Sequence, residues 1–377
     1  MNSGPVRVSV FGKTDLGRTR DHNEDTFLVA DLSTRSASLQ PEVRDHVIGP
    51  RGSLFMVADG MGGAAAGEIA SRMATDAIYQ YLTREWTTDP DVSEDRFAER
   101  VRLAVEQANR QIYEFAREHA EVRGMGTTAT VAGVYGSNLF LAQIGDSRAY
   151  LDRNGEVIQL TKDQSLMQRL VDAGELTEEE AEQSERRNII LQALGPDPRV
   201  KVDLTWQPLR RGDVLVLCSD GLSGLVRREE IAGVLAEEPD LARACSRLID
   251  LANERGGPDN ITVVLARFDG EGLAPAGGEP GDVAYRAYRP SGEAPTIDMA
   301  AITAPMPAIT LPPLSAVPLR PAEPAPAPAV DDPPLDPIDE AVAPEPSVAG
   351  RRAPNPTLIT IGVSLLAALL YYLLSRR

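Results

Sequence analysis

Acidic residues recur at the ends of apolar runs along this chain. Glu24 and Asp25 stand in "HNED" before "TFLVA", Asp59 ends "FMVADG", Asp146 follows "AQI" in "GDSR", Asp220 follows "VLC" in "SDG", and Asp259 stands in "GGPDN" before "ITVV". Taken singly, a strand-end Asp beside Gly is a turn residue that caps a chain reversal. Five such places in one chain suggest a shared task. Hard divalent cations take oxygen ligands, and a carboxylate followed by glycine leaves both the side chain and the backbone carbonyl accessible at a strand edge. Carboxylates from strands distant in sequence are therefore expected to converge on Mg²⁺ or Mn²⁺, metals that an oxygen-only site accepts alike. Histidine does not supply the chemistry: the chain has three, His22, His46 and His119, and no His or Cys pair has zinc spacing.

The elements that must position these acids are legible as short β-branched runs between turn signals, such as "VRVSVFG", "TFLVAD", "SLFMVADG", "TTATVAGVYG", "NLFLAQIGDSRAYLDRNG", "EVIQLT", "KVDLTW", "DVLVLCSDG" and "ITVVLARF". The turns "YGSN" and "RNGE" read as hairpins, so the sheets should be antiparallel. Two long amphipathic patterns, "AGEIASRMATDAIYQYLTREW" and "SEDRFAERVRLAVEQANRQIYEFAREH", follow the third strand, and shorter ones occur at "QSLMQRLVDAG", "TEEEAEQSERR", "REEIAGVLAEE" and "DLARACSRLIDLANERG". Strands grouped rather than strictly alternating with helices point to an α+β fold. Two packed sheets with helices outside would bury this pattern.

At 377 residues and 42% apolar content the chain can bury a large core, and its net charge of −18 excludes nucleic acid as a partner of the bulk surface. Two cysteines, Cys218 and Cys245, exclude a disulfide scaffold and read as core residues in a reducing compartment. Of 29 prolines, nine precede residue 271 and twenty follow it. Residues 1–269 are thus expected to fold, and 270–356 to form a Pro/Ala-rich, acidic, disordered tether. Residues 357–375, "TLITIGVSLLAALLYYLLS", are uncharged and flanked by Arg351, Arg352, Arg376 and Arg377, which reads as a single transmembrane helix. No basic segment followed by an apolar stretch opens the chain, so the folded part is expected to face the cytoplasm from the cell membrane.

Six segments in order, "GRTRDHNED", "VADGMGG", "GMGTTAT", "IGDSRAYL", "LCSDGL" and "GGPDNITVV", resemble the metal-dependent protein phosphatases of the type 2C family, in particular the bacterial Ser/Thr phosphatases. The resemblance runs from about residue 8 to residue 268 and includes none of the tether. It implies a four-layer α-β-β-α sandwich of two antiparallel sheets flanked by helices, with two Mn²⁺ or Mg²⁺ ions in a cleft at one end. Carried over, Asp59 would bridge the two ions and the Gly60 carbonyl would ligate one. Asp220 and Asp259 would hold the other, Glu24 and Asp25 would sit in or beside the ligand set, and Asp146 would serve a third ion. Arg20 matches the arginine that binds the substrate phosphate. Two cations roughly 3.5–4 Å apart turn a shared water into a nucleophile at neutral pH and offset charge on the phosphoryl group, while a guanidinium pairs two phosphate oxygens at once.

One position departs from the pattern. Most bacterial members carry a histidine directly after "DGMGG", thought to protonate the departing alkoxide; here it is Ala64. Such protonation is worth about 10²–10⁴-fold when the leaving group is poor. If "RDHNED" is extended, alternation places Arg20, His22 and Glu24 on one face, which makes His22 the candidate substitute acid, with an ordinary surface histidine as the alternative. The expected activity is hydrolysis of phosphoserine and phosphothreonine in proteins, opposing a bacterial Ser/Thr kinase. The alternatives are a catalytically weak phosphoprotein-binding domain and a small-metabolite phosphatase. Thr127, Thr128, Gly124, Gly126 and Asn260 are read as structural, through turn geometry and side-chain hydrogen bonds.

Overall fold

The computed structural model describes residues 4–63, 66–182, 184, 186, 188–277 and 282–289. Ala64, the tether beyond Arg289 and the apolar run 357–375 lie outside the described residues. Among the described residues no helix is long and apolar enough to cross a membrane.

In chain order the strands are β1 (Arg7–Asp15), β2 (Asp25–Asp31), β3 (Ser36–Ser38), β4 (Arg44–Val47), β5 (Ser53–Met61), β6 (Gly126–Thr127), β7 (Ala129–Tyr135), β8 (Asn138–Ile144), β9 (Arg148–Arg153), β10 (Glu156–Gln159), β11 (Asp203–Pro208), β12 (Val214–Cys218) and β13 (Ile261–Asp269). The helices are α1 (Ala66–Tyr81), α2 (Glu94–Glu118), α3 (Leu166–Asp172), α4 (Glu178–Glu182), α5 (Asp220–Ser223), α6 (Arg228–Glu237) and α7 (Leu241–Glu254). A single π turn, Leu82–Trp86, extends α1. One sheet runs β10-β9-β12-β13-β1-β4 and the other β11-β8-β7-β5-β2-β3, with β6 paired to the end of β5. Every pairing between these strands is antiparallel.

Side-chain alternation explains why the central strands read as unbroken apolar runs. In β12, Leu215 and Leu217 pack between the sheets with Phe55, Val57, Leu141 and Val264. Their neighbours Val214, Val216 and Cys218 pack against Leu248 and Ile249 of α7. In β5, Phe55 and Val57 face the other sheet, whereas Leu54 and Met56 face α1 and α2 through Ala74, Ile78 and Phe97. Both faces of each sheet are therefore covered, giving the expected four layers. The hairpin turns form where "YGSN" and "RNGE" place them, closing Tyr135 against Asn138 and Arg153 against Glu156. Asn154 and Gly155 both take positive φ, the conformation a two-residue hairpin demands.

Three differences from the sequence reading have physical causes. Strands β3 and β4 are short, half-exposed edges without an apolar run to announce them. Among the described residues of "TEEEAEQSERR" the helix is the five residues of α4. The packed chain also continues past residue 269: Leu273 is buried and Val283 is 9% exposed, both in the core between the sheets. Beyond them the chain lies along β11, with Tyr288 N–H donating to Leu204 O at 2.8 Å and Trp206 N–H to Arg286 O at 3.0 Å. Tyr288 also packs its ring on Phe140. This extended segment, bridged to β11 at Ala287 and Thr205, covers part of an edge that would otherwise present unpaired backbone groups.

Candidate metal centre

The register of the two sheets brings the acids to one end of the sandwich. Strands β2 and β5 place Asp25 directly opposite Asp59. Strands β12 and β13 pair Cys218 with Val263, which brings the following Ser219–Asp220 beside the preceding Asp259–Asn260. The contact is close: a Cβ on Gly221 would lie 2.0 Å from the Asn260 carbonyl oxygen. Asp146 leaves the end of β8 in the same layer as Asp59. The small residues after Asp59 have a similar cause, because a Cβ on Gly60 would lie 2.2 Å from the Gly67 carbonyl oxygen in the first turn of α1.

The backbone of Asp59 is fixed from below. Its N–H donates to Thr128 Oγ1 at 3.0 Å, and its carbonyl accepts from Thr127 Oγ1 at 2.9 Å and from Thr128 N–H at 2.8 Å. Asn260 ties down the loop that carries Arg20. Its Nδ2 donates to the carbonyls of Leu16 and His22, both at 3.0 Å, and its Oδ1 accepts from Glu24 N–H at 2.8 Å. Arg20 Nη2 reaches Asp259 Oδ2 at 2.7 Å, with side chains 49% and 29% exposed, so the guanidinium keeps a solvent-facing side. The hydrogen bond to Asp259 raises its pKa further.

These carboxylates repel one another and are short of partners. Burial pushes the Asp25 carboxyl up to about 7, despite hydrogen bonds to its Oδ2 from Thr262 at 2.6 Å and Ser219 at 2.7 Å. Burial raises Asp59 well above the usual carboxylate range, and the charges of Asp25, Asp220, Asp146 and Asp259 add to it. Burial, with Asp220 and Asp163 nearby, pushes Asp146 up to about 7. Asp220 is raised by burial and by Asp259, and Glu24 by burial against the opposing pull of Arg20. Three buried oxygens, Asp25 Oδ1, Asp146 Oδ1 and Asp220 Oδ1, have no hydrogen-bond partner. Buried polar atoms are ordinarily paired, so three orphans at one end of one sandwich imply a ligand.

The donor set fits hard divalent cations: it is oxygen only, strongly negative, and free of imidazole and thiolate. Among the described residues no group of three or more acidic, histidine or cysteine side chains lies close enough to hold a metal ion by itself. Backbone carbonyls such as that of Gly60, and water, would complete the coordination. Glu24 and Asp25 separate in role. Asp25 points into the buried layer, whereas Glu24 responds to Arg20, Asp259, His22 and Glu68 on the open side.

The alternation argument for His22 does not hold. Asp21 and His22 form an exposed bend rather than extended strand, because the carbonyl of His22 is drawn to Asn260. His22 still lies close enough to Glu24 for its charge to lower that carboxyl's pKa. Cys218 and Cys245 are buried and free, and burial pushes both thiols up to about 12, so neither is a nucleophile. Ser219 and Thr262, which hold Asp25, were missed. The serine lies beside Asp220 in "CSDG", so proximity was the available signal, while Thr262 lies inside a strand run and has none.

Comparisons with known proteins agree with this chemistry. The family model for protein phosphatase 2C matches residues 37–266. The serine/threonine phosphatase stp of Listeria welshimeri is 37% identical over 254 residues, 67% of this chain and 93% of that one. The serine/threonine protein phosphatase PstP of Mycobacterium tuberculosis is 42% identical over 213 residues, 56% of this chain and 40% of that one. A crystal structure of the M. tuberculosis phosphatase PstP/Ppp superimposes with a TM-score of 0.58 at 36% identity, covering 70% of this chain and 99% of that one. A PstP catalytic domain solved in complex with two manganese ions gives a TM-score of 0.57 at 36% identity over the same shares.

Proposed function

The chain belongs to the protein phosphatase 2C family, and we propose that it hydrolyses phosphoserine and phosphothreonine in proteins with Mn²⁺ or Mg²⁺ as cofactor. The observation that carries this reading is the set of three orphaned carboxylate oxygens at the end of the sandwich. Asp59 with the Gly60 carbonyl, Asp220 and Asp259 would hold two ions, with Asp25 and Glu24 beside them and Asp146 available to a third. When bound, the ions supply Lewis acidity toward the phosphoryl group and make water nucleophilic near neutral pH.

The chain's own residues supply position. Arg20, permanently charged and facing solvent, is placed to clamp two oxygens of the phosphoryl group. Asp259 holds that guanidinium in register with the carboxylate cluster. Thr127 and Thr128 fix the Asp59 backbone so that its carboxylate keeps one orientation. The proton for the departing Ser or Thr oxygen is assigned to water, or to His22 at the rim. The half-exposed Arg20–Asp259 pair favours a phosphorylated segment of a protein over an enclosed metabolite. The partners are then phosphoproteins, including bacterial Ser/Thr kinases and their substrates.

We further propose that residues 357–375 span the cell membrane once and that the catalytic unit faces the cytoplasm. The uncharged run with arginines on both sides supports the anchor. Fractionation of the full chain beside a chain ending at Arg289 tests it: the full chain should sediment with membranes and the shorter one should not.

Ala64→His tests the chemistry of the leaving group. It should raise turnover of a phosphothreonine peptide, by up to about 10²–10⁴-fold, and leave an aryl phosphate nearly unchanged. Peptide turnover absent in the natural chain and restored by Ala64→His would favour the binding-domain reading. Faster turnover of a sugar phosphate than of the peptide would favour a metabolite phosphatase. Loss of peptide hydrolysis in His22→Ala, with aryl phosphate retained, would assign the proton to His22.

A further inference from the structure

The turn that presents Asp146 is held by two glutamine side chains. Gln143, in β8, is 1% exposed. Its Oε1 accepts from Thr130 Oγ1 at 2.7 Å, and its Nε2 donates to Ser147 O at 2.7 Å and to Gly145 O at 3.1 Å. Gln164 grips the turn from the other side: its Oε1 accepts from Gly145 N–H at 2.9 Å and its backbone N–H donates to Gly145 O at 2.9 Å. Its Nε2 reaches Gln143 O at 3.3 Å, so the two grips are joined. Gly145 has φ of 95°, and a Cβ there would lie 2.6 Å from Cγ2 of Thr128, the residue that fixes Asp59, so a side chain is excluded.

The carbonyls before and after Asp146, and the amide of Gly145, are thus all taken by this clamp, while Asp146 Oδ1 has no partner. We propose that Gln143 and Gln164 are positioning residues that aim the Asp146 carboxylate at a divalent cation. The proposal rests on the reading of Asp146 as a metal ligand. The residue type follows from the geometry. Gln143 must accept one hydroxyl and donate to two carbonyls, which only a neutral amide does; a glutamate would donate nothing and would add charge to a cluster already crowded with it. Gln164 also receives Gln192 Nε2 at 2.9 Å, and its carbonyl takes Leu191 N–H at 2.7 Å. The half-exposed loop bearing Ile189 and Leu191 is thereby tied to the same turn.

The test is a calorimetric Mn²⁺ titration of the metal-stripped full chain, with hydrogen exchange at the Gly145 amide read on the same samples. Asp146→Asn should remove one binding event. Gln164→Ala, a half-buried change, should weaken that same event by about 10- to 100-fold, as loss of a group that orients a ligand does, and leave the others in place. The Gly145 amide should exchange faster in Gln164→Ala, and the Thr128 amide should not. Gln143→Met should show the same loss if it folds. A Gln164→Ala isotherm identical to that of the natural chain, with one event missing in Asp146→Asn, overturns the clamp alone. An unchanged isotherm in Asp146→Asn overturns the assignment of Asp146 on which the clamp rests.

Discussion

Two kinds of place in this sandwich keep aspartates almost wholly from solvent and treat them in opposite ways. At one, Asp213 is 1% exposed and receives Arg153 on both oxygens, at 2.9 and 2.6 Å, with the Arg210 backbone N–H at 2.7 Å. Asp89, 5% exposed, is similar: burial pushes its carboxyl up, but hydrogen bonds from Arg100 and Arg96 outweigh that and hold it at about 2. At the other, Asp25 and Asp146 are 7% and 6% exposed, each has an orphaned oxygen, and both carboxyls are pushed up to about 7. Solvent exposure is not what separates them. Arginines pair with Asp213 and Asp89, whereas the hydrogen bonds to Asp25 come from Ser219 and Thr262, which leaves Asp25 and Asp146 open to the cations proposed for them.

The contrast can be broken most forcibly by removing an arginine. Arg153→Met leaves Asp213 buried without its cation and should cost about 3–5 kcal/mol of stability, read by urea denaturation. A loss well under about 1 kcal/mol would show that the pair is not the structural device described.

Titration should separate the two regions by sign. For Asp25 and Asp146 the folded pKa lies above the ordinary 3.8, so the stability they contribute is fully present below about 4 and is lost as pH rises through about 7. The metal-free protein should therefore melt at a higher temperature at pH 6 than at pH 8, and saturating Mn²⁺ should flatten or reverse that trend. Asp89, with its folded pKa depressed to about 2, contributes stability that is present above 3.8 and lost as pH falls through 2; Asp89→Asn should remove that acid-side loss. Equal melting temperatures at pH 6 and 8 without metal would erase the contrast.

The smallest effect expected is Asp146→Asn in the metal-free chain. Relieving a repelled, underpartnered carboxylate should raise stability by about 0.5–2 kcal/mol, as changes at functional sites commonly do. Destabilisation instead would mark Asp146 as a structural residue.

What the sequence revealed and what it withheld follow the same division. The acids at the strand ends were legible because an Asp that terminates an apolar run is conspicuous, and Asp25, Asp59, Asp220 and Asp259 come together through strand register. The layers were legible because runs such as "VLVLC" are apolar on both faces, which requires a partner on each side. Strands β3 and β4 lack that signal. The one-turn helix α5 does too, since four residues beginning at Asp220 show no periodicity. The groups that support the acids were hardest to see. Gln143 inside "NLFLAQI" is a polar residue in a buried run, a signal that was present and unread, whereas Gln164 looks like any loop glutamine until its contacts are known. The packing of residues 282–289 along β11 was hidden by the onset of proline, although Tyr285 and Tyr288 break the tether's composition.

The central claim is that the unpaired carboxylates exist to hold catalytic cations. The most direct test is phosphate release from a phosphothreonine peptide by the full chain, first stripped of metal and then titrated with Mn²⁺, beside Asp59→Asn. The account predicts no release without metal, saturable activation by Mn²⁺, and a loss in Asp59→Asn of at least the roughly 100-fold that even an outer-shell change can cause. Undiminished release from the stripped chain, or from Asp59→Asn, would contradict it.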